Sequence, residues 1–99
     1  MQITTEFVDL KLFIKLPSRL DQETHQQFVA AYTEQLVKPV AYIIDMAEVI
    51  FFDSSSLGML LLLRKFAGGD KASVSIINLS PTVNKILRIS RFDRLFELG

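Results

Sequence analysis

The sequence predicts a small α/β domain: a mixed, mostly parallel β-sheet with helices packed against it, in the order β-β-α-β-α-β-α with a further short strand at the end. Three observations carry that prediction. Leu10, Leu12, Ile14 and Leu16 alternate with Lys11, Phe13 and Lys15, the period of a strand with one buried face. A helical pattern separates this strand from the stretch Val40 to Met46, which is apolar until Asp45; strand, helix and strand imply a right-handed crossover and parallel pairing. The junction Phe52-Asp53-Ser54-Ser55-Ser56-Leu57-Gly58 then opens a second long helical segment, itself followed by another β-rich run.

Taken in order, Ile3 to Glu6 and Val8 to Leu16 read as an antiparallel hairpin with Asp9 at its turn. Pro17-Ser18 ends the second strand, because proline has no amide hydrogen for the ladder. Asp21 is a helix N-cap, and Phe28, Ala31, Tyr32 and Leu36 give the helix Glu23 to Val37 its apolar face, closed by Lys38-Pro39. The strand Val40 to Met46 reads as central and covered on both faces, and Ala47 to Phe52 delivers Asp53 to the carboxyl edge of the sheet. The next helix, Ser55 to Ala67, is apolar nearly all round until Arg64 and Lys65 and so reads as buried, with Gly68-Gly69-Asp70 as its stop. Ala72 to Leu79 is a further strand; Ser80 caps a helix with Pro81 at its first position and Val83, Ile86 and Leu87 on its apolar face. Arg91 to Arg94 reads as a turn and Leu95 to Leu98 as the last short strand.

Composition narrows the function. The 99 residues suffice for one core, so residues 1–99 read as one domain. Lysine plus arginine equals aspartate plus glutamate at 11 each, so no global field draws the chain to nucleic acid or an anionic membrane, and a protein partner or small ligand is expected instead. The absence of cysteine excludes disulfides and thiolate chemistry. No secretion signal is read at Met1 to Glu6, and the longest apolar run, Leu57 to Leu63, is too short to cross a bilayer. The expectation is a cytoplasmic protein, monomeric when free.

The chemistry points away from catalysis. A serine nucleophile needs a base, but the single histidine, His25, lies at the exposed start of a helix, and the glycine-flanked nucleophile elbow is missing. No glycine loop precedes a helix to cradle phosphate. Asp45, Glu48 and Asp53 could gather around magnesium, but a strand end and a helix cap account for the two aspartates, and neither metal nor cofactor is assigned. The serine cluster has two readings. In one, Asp53, Ser54 or Ser55 only caps the helix; in the other, a hydroxyl there accepts a phosphate, an anion that helix N-termini accommodate.

On these residues the chain resembles a STAS domain of the anti-sigma factor antagonist family. The resemblance runs through the hairpin, Leu16 to Asp21, Ala41 to Met46, the Asp53-Ser54-Ser55-Ser56-Leu57-Gly58 core, Asn78-Leu79-Ser80-Pro81-Thr82-Val83 and Phe92-Asp93-Arg94-Leu95-Phe96. It implies a non-enzymatic partner switch. In that family the unphosphorylated protein binds a serine kinase that is also an anti-sigma factor, the kinase phosphorylates the serine after the aspartate, and a cognate phosphatase reverses it. By position the phosphoacceptor is Ser54, with Ser55 and Ser56 as alternatives, and Asp21 matches an acidic position near it. The docking lip would be Asp21, Asp53, Ser54, Leu57, Gly58 and Leu61. The chain departs from the family pattern in having Ser56 where glycine is usual, which puts three hydroxyls in competition, and Pro17-Ser18 in place of a turn that commonly contains glycine. It also stops at Gly99 without the extra C-terminal helix many members carry. The alternative reading is a subunit docked permanently in a stressosome or a lipid-transport complex, with the serines acting only as caps.

Overall fold

Strands β1 (Thr4–Val8) and β2 (Lys11–Lys15) form the antiparallel hairpin, with Val8 opposite Lys11, in a computed structural model that describes residues 3–50 and 52–99. The N-terminal residues Met1 and Gln2, on which the reading of a missing signal partly rests, and Phe51 of the 47–52 connection lie outside the described residues. The turn takes two residues, Asp9 at φ 52° and Leu10 at φ 63°. Both central residues at positive φ match the twist of a two-residue hairpin. Leu10 therefore belongs to the turn and is exposed, a correction to its place in the alternating strand.

Helix α1 (Gln22–Thr33) follows, then β3 (Ala41–Asp45), α2 (Ser54–Ala67), β4 (Val74–Ile77), α3 (Pro81–Ile89) and β5 (Glu97–Leu98). The five strands lie in sequence order β1-β2-β3-β4-β5, and every pairing after the hairpin is parallel. The segment Phe92–Arg94, read as a turn, is one turn of 3₁₀ helix.

Strand parity sorts the sheet into two unlike faces. Leu12, Ile14, Tyr42, Ile44, Val74 and Ile76 are buried together with Phe28 and Tyr32 of α1, Met59, Leu60 and Leu63 of α2, and Val83 and Leu87 of α3 in one cluster. Fully burying such a side chain stabilises by about 1.5–3 kcal/mol, which makes this face the source of the fold's stability. The opposite parity leaves Lys11, Phe13 and Lys15 exposed and Ala41, Ile43 and Asp45 half-buried. The expectation that β3 is covered on both faces is thus corrected: the helices contribute to one layer, and the apolar residues of the second face are only screened by their neighbours.

Two helices differ from expectation for local reasons. Helix α1 stops at Thr33 rather than Val37. Its last carbonyls find other donors: Thr33 Oγ1 donates to Val29 O at 2.7 Å, Glu34 N to Ala30 O at 3.0 Å and Gln35 Nε2 to Ala31 O at 2.9 Å. Pro39 discourages helical geometry just beyond. Leu36 is consequently fully exposed instead of lying on the apolar face. In α2 only Ser56, Met59, Leu60 and Leu63 are buried, while Leu61, Leu62 and Phe66 are exposed, so the helix is not buried all round. Gly68 ends it at φ 123°, a backbone conformation that favours glycine.

Candidate functional site

The loop from β3 carries the chain to the start of α2. Met46 and Val49 are buried, and Ile50 N donates to Ser18 O at 3.1 Å, which ties the loop to the segment after β2. Asp53 then sits in extended conformation as the N-cap. Its Oδ1 accepts from Ser56 N at 3.1 Å, Ser56 Oγ at 3.1 Å and Ser55 Oγ at 2.7 Å, and Asp53 N donates back to Ser56 Oγ at 3.5 Å. This is a capping box, which satisfies donors that have no partner inside a helix.

The three hydroxyls are therefore not equivalent. Ser56 is only 1% exposed and closes the box. Ser55 is exposed but committed to the Asp53 carboxylate. Ser54, the first residue of α2, is exposed, and its hydroxyl has no hydrogen-bond partner among the described residues. Ser56 stands where the resemblance leads one to expect glycine, yet it is not among the described residues with positive φ, so its side chain costs the turn nothing.

Asp21 caps α1 in the same manner, accepting from Thr24 N and Thr24 Oγ1, both at 2.9 Å. These bonds favour the ionised form. The Thr24 amide, then its hydroxyl, holds the Asp21 carboxyl below its ordinary 3.8, and the Ser55 hydroxyl, then the Ser56 amide, does the same for Asp53. Both carboxylates line one cleft of about 380 Å³ with Leu20, Gln22, His25 and Ser55. The starts of α1 and α2 thus adjoin, each already provided with a negative charge.

Beyond the cap, Ser54, Leu57, Gly58 and Leu61 fall at helical spacings of three and four and share a face. Ser54, Gly58 and Leu61 are exposed; Leu57 is half-buried, packed against the core. A Cβ added at Gly58 would meet nothing within 4 Å, so this position is open. The sequence reading missed Leu62 and Phe66, whose exposure widens the apolar surface. The buried positions 56, 59, 60 and 63 define one buried side and leave the other to water, a division that the nearly continuous apolar run 57–63 does not show in sequence.

The other titratable candidates have structural occupations. Asp45 Oδ1 accepts from Ala47 N at 2.9 Å and Asn78 Nδ2 at 3.0 Å, and Glu48 pairs with Lys15 at 3.0 Å. Among the described residues no group of three or more potential ligands could hold a metal ion. His25 is half-buried with its Nε2 sealed from solvent, not exposed as expected, because its side chain lies in the cleft between the two helix starts. Among the described residues no helix is long and apolar enough to cross a membrane.

A one-layered α/β sheet, a serine-rich cap beyond its central strand and an apolar stripe on the capped helix define a small binding domain. Comparison with known proteins gives its family. The family model described as "Mlab, STAS domain" matches residues 3–97, and the chain belongs to the STAS domain family. It is 46% identical over 89 residues to a STAS-domain containing protein of Pseudomonas aeruginosa, covering 90% of this chain and 88% of that one. Among solved structures it resembles the anti-sigma factor antagonist SpoIIAA in its unphosphorylated form, with a TM-score of 0.71 and 25% identity over 98% of this chain and 87% of that one. An anti-sigma-factor antagonist (STAS) domain protein from Planctomyces limnophilus shares the fold with a TM-score of 0.80 at 19% identity, covering 99% and 89% of the two chains. Membership makes this a regulatory, protein-binding domain rather than an enzyme.

Proposed function

We propose that this chain is a phosphorylation-controlled partner switch that binds a serine kinase of the anti-sigma factor kind while Ser54 is unmodified and is released when Ser54 carries phosphate. One observation carries the reading: of the three hydroxyls at the start of α2, only that of Ser54 is both exposed and uncommitted. The kinase transfers the γ-phosphoryl group of ATP to Ser54 Oγ; the new O–P bond forms as the bond to ADP breaks, and the hydroxyl proton passes to the kinase. A cognate phosphatase hydrolyses the ester. All of this occurs in the cytoplasm, on a monomer.

The physics supports such a switch. A phosphate at the first position of α2 sits where the first-turn amides and helix dipole tolerate an anion, so the fold survives. Docking is another matter. The phosphate adds close to two negative charges beside Leu57, Gly58 and Leu61, in a neighbourhood where Asp53 and Asp21 are already ionised. A partner covering that face must strip water from all of them.

The test is phosphosite mapping. The protein is incubated with ATP and a purified kinase captured on it from its native cells, then analysed by mass spectrometry. A single phosphate on Ser54 is expected, and phosphate found only on Ser55 or Ser56 overturns the assignment.

A further inference from the structure

A feature that the switch does not use lies along β1, which pairs on one side only and forms an edge of the sheet. Val8 and Lys11 flank the two-residue turn and exchange backbone hydrogen bonds as its closing pair. By antiparallel alternation Glu6 and Thr4 also bond to β2, while Thr5 and Phe7 turn their N–H and C=O groups outward. The next outward amide, that of Ile3, takes a side-chain acceptor, Gln27 Oε1 at 3.4 Å. Those of Thr5 and Phe7 have no partner among the described residues. The strand Thr4-Thr5-Glu6-Phe7-Val8 carries neither the proline nor the lysine that commonly blunts an edge.

Both sides of this edge are acidic. On the side of the sheet that carries the helices, a groove of about 450 Å³ between β1 and α1 is apolar at Ile3, Ala30 and Ala31 and polar at Thr5, Gln27 and Gln35, and Glu34 is the one charged residue lining it. On the open side, Glu6 is exposed. Neither carboxylate has an ion-pair partner among the described residues. The cations of β2 on that open side, Lys11 and Lys15, stand diagonal to Glu6, and Lys15 is committed to Glu48 at 3.0 Å.

We propose that the β1 edge takes up an extended segment of a partner protein that carries two consecutive basic residues. The segment adds a strand beside β1, where the outward groups of Thr5 and Phe7 match another extended backbone. Successive side chains of an added strand point to opposite faces. One basic residue therefore meets Glu6 on the open side, and the next enters the groove, its alkyl stem on Ile3, Ala30 and Ala31 and its charge at Glu34. Charge also decides against a second copy of this chain: the antiparallel pairing that uses Thr5 and Phe7 of both copies sets Glu6 directly opposite Glu6.

The experiment titrates the full chain with the peptide acetyl-Thr-Val-Thr-Lys-Arg-Val-Thr-Val-amide and follows amide chemical shifts. Saturable shifts are expected at residues 3–8 and 27–35 and not at residues 54–58, with slower hydrogen exchange at the Thr5 and Phe7 amides. The double variant Glu6→Lys with Glu34→Lys, changed at two exposed positions, should bind the peptide about tenfold or more weakly. It should instead bind the peptide that has Glu-Glu in place of Lys-Arg, which the wild type does not. N-methylation of the peptide's Lys and Arg amides keeps both charges, removes a facing donor in either register and should abolish saturation. No saturation by the first peptide at millimolar concentration, equal affinity of wild type and double variant, or undiminished binding of the N-methylated peptide overturns the proposal. Shifts at Thr5 and Phe7 that grow with protein concentration alone assign the edge to a second copy and overturn it equally. Thermal melts confirm that the double variant folds, and the N-methylation test needs only the wild type.

Discussion

Ser56 and Asp53 hold each other twice: the Asp53 carboxylate accepts the Ser56 amide at 3.1 Å, and the buried Ser56 hydroxyl receives the Asp53 amide at 3.5 Å while donating to the same carboxylate at 3.1 Å. The start of α2 is locked by this exchange. With Ser55 also bound to the carboxylate, Ser54 on the outer surface is left uncommitted.

Removing the hydroxyl alone should therefore be felt. Ser56→Ala is expected to destabilise the fold by about 0.5–2 kcal/mol, the range for a lost cap bond. Ser56→Asp should be worse, because it forces a charge into a site that is 1% exposed. Urea denaturation measures both, and an unchanged midpoint for Ser56→Ala would mean that the box contributes nothing.

Substitution at Ser54 should separate folding from docking. Ser54→Ala and Ser54→Asp are both expected to fold like the wild type, since the hydroxyl has no partner to lose among the described residues. Calorimetric titration with the captured kinase should give Ser54→Ala the wild-type affinity and Ser54→Asp at least about tenfold less, the scale of one buried polar mismatch. Equal affinities would sink the switch.

The apolar stripe offers a complementary test. Leu61 and Leu62 are exposed, so Leu61→Asp and Leu62→Asp should shift stability by less than about 0.5 kcal/mol. If α2 docks on the kinase, at least one should reduce affinity by about tenfold or more, as loss of an apolar contact at an interface centre does. Wild-type binding by both would move the docking face elsewhere.

The element order and two of the helix caps were legible because period-two alternation and capping residues are local signals; Asp21 and Ser80 cap as their positions in the sequence imply, while Asp53 takes the cap that the sequence left open among Asp53, Ser54 and Ser55. The end of α1 was not, because its last turn is resolved by side chains, Thr33 and Gln35, that compete for carbonyls without altering the apolar pattern. Exposure of Leu62 and Phe66 depends on whether helices cover one face of the sheet or two, and a run of apolar residues in α2 does not decide that. The three serines could not be ranked from Asp-Ser-Ser-Ser alone. Only the geometry around Asp53 assigns one to the box, one to the carboxylate and leaves Ser54 uncommitted.

Acid should expose the two aspartate caps. Hydrogen bonds hold the folded-state pKa of both Asp53 and Asp21 below 3.8, whereas in the unfolded chain a free aspartate titrates near about 3.9. The unfolded state thus takes up protons first as pH falls. The stabilisation from both caps is complete above the unfolded value and is lost as pH drops through the folded values, so the loss falls below roughly pH 4. Asparagine caps nearly as well as aspartate but does not titrate there. The double variant Asp21→Asn with Asp53→Asn should then resemble the wild type near neutrality and lose less stability between roughly pH 5 and pH 2.5. Urea midpoints of both proteins across that range decide it: curves that stay together down to roughly pH 2.5 would place the acid sensitivity on other carboxylates, while curves that coincide near neutrality and diverge in acid assign it to the paired starts of α1 and α2.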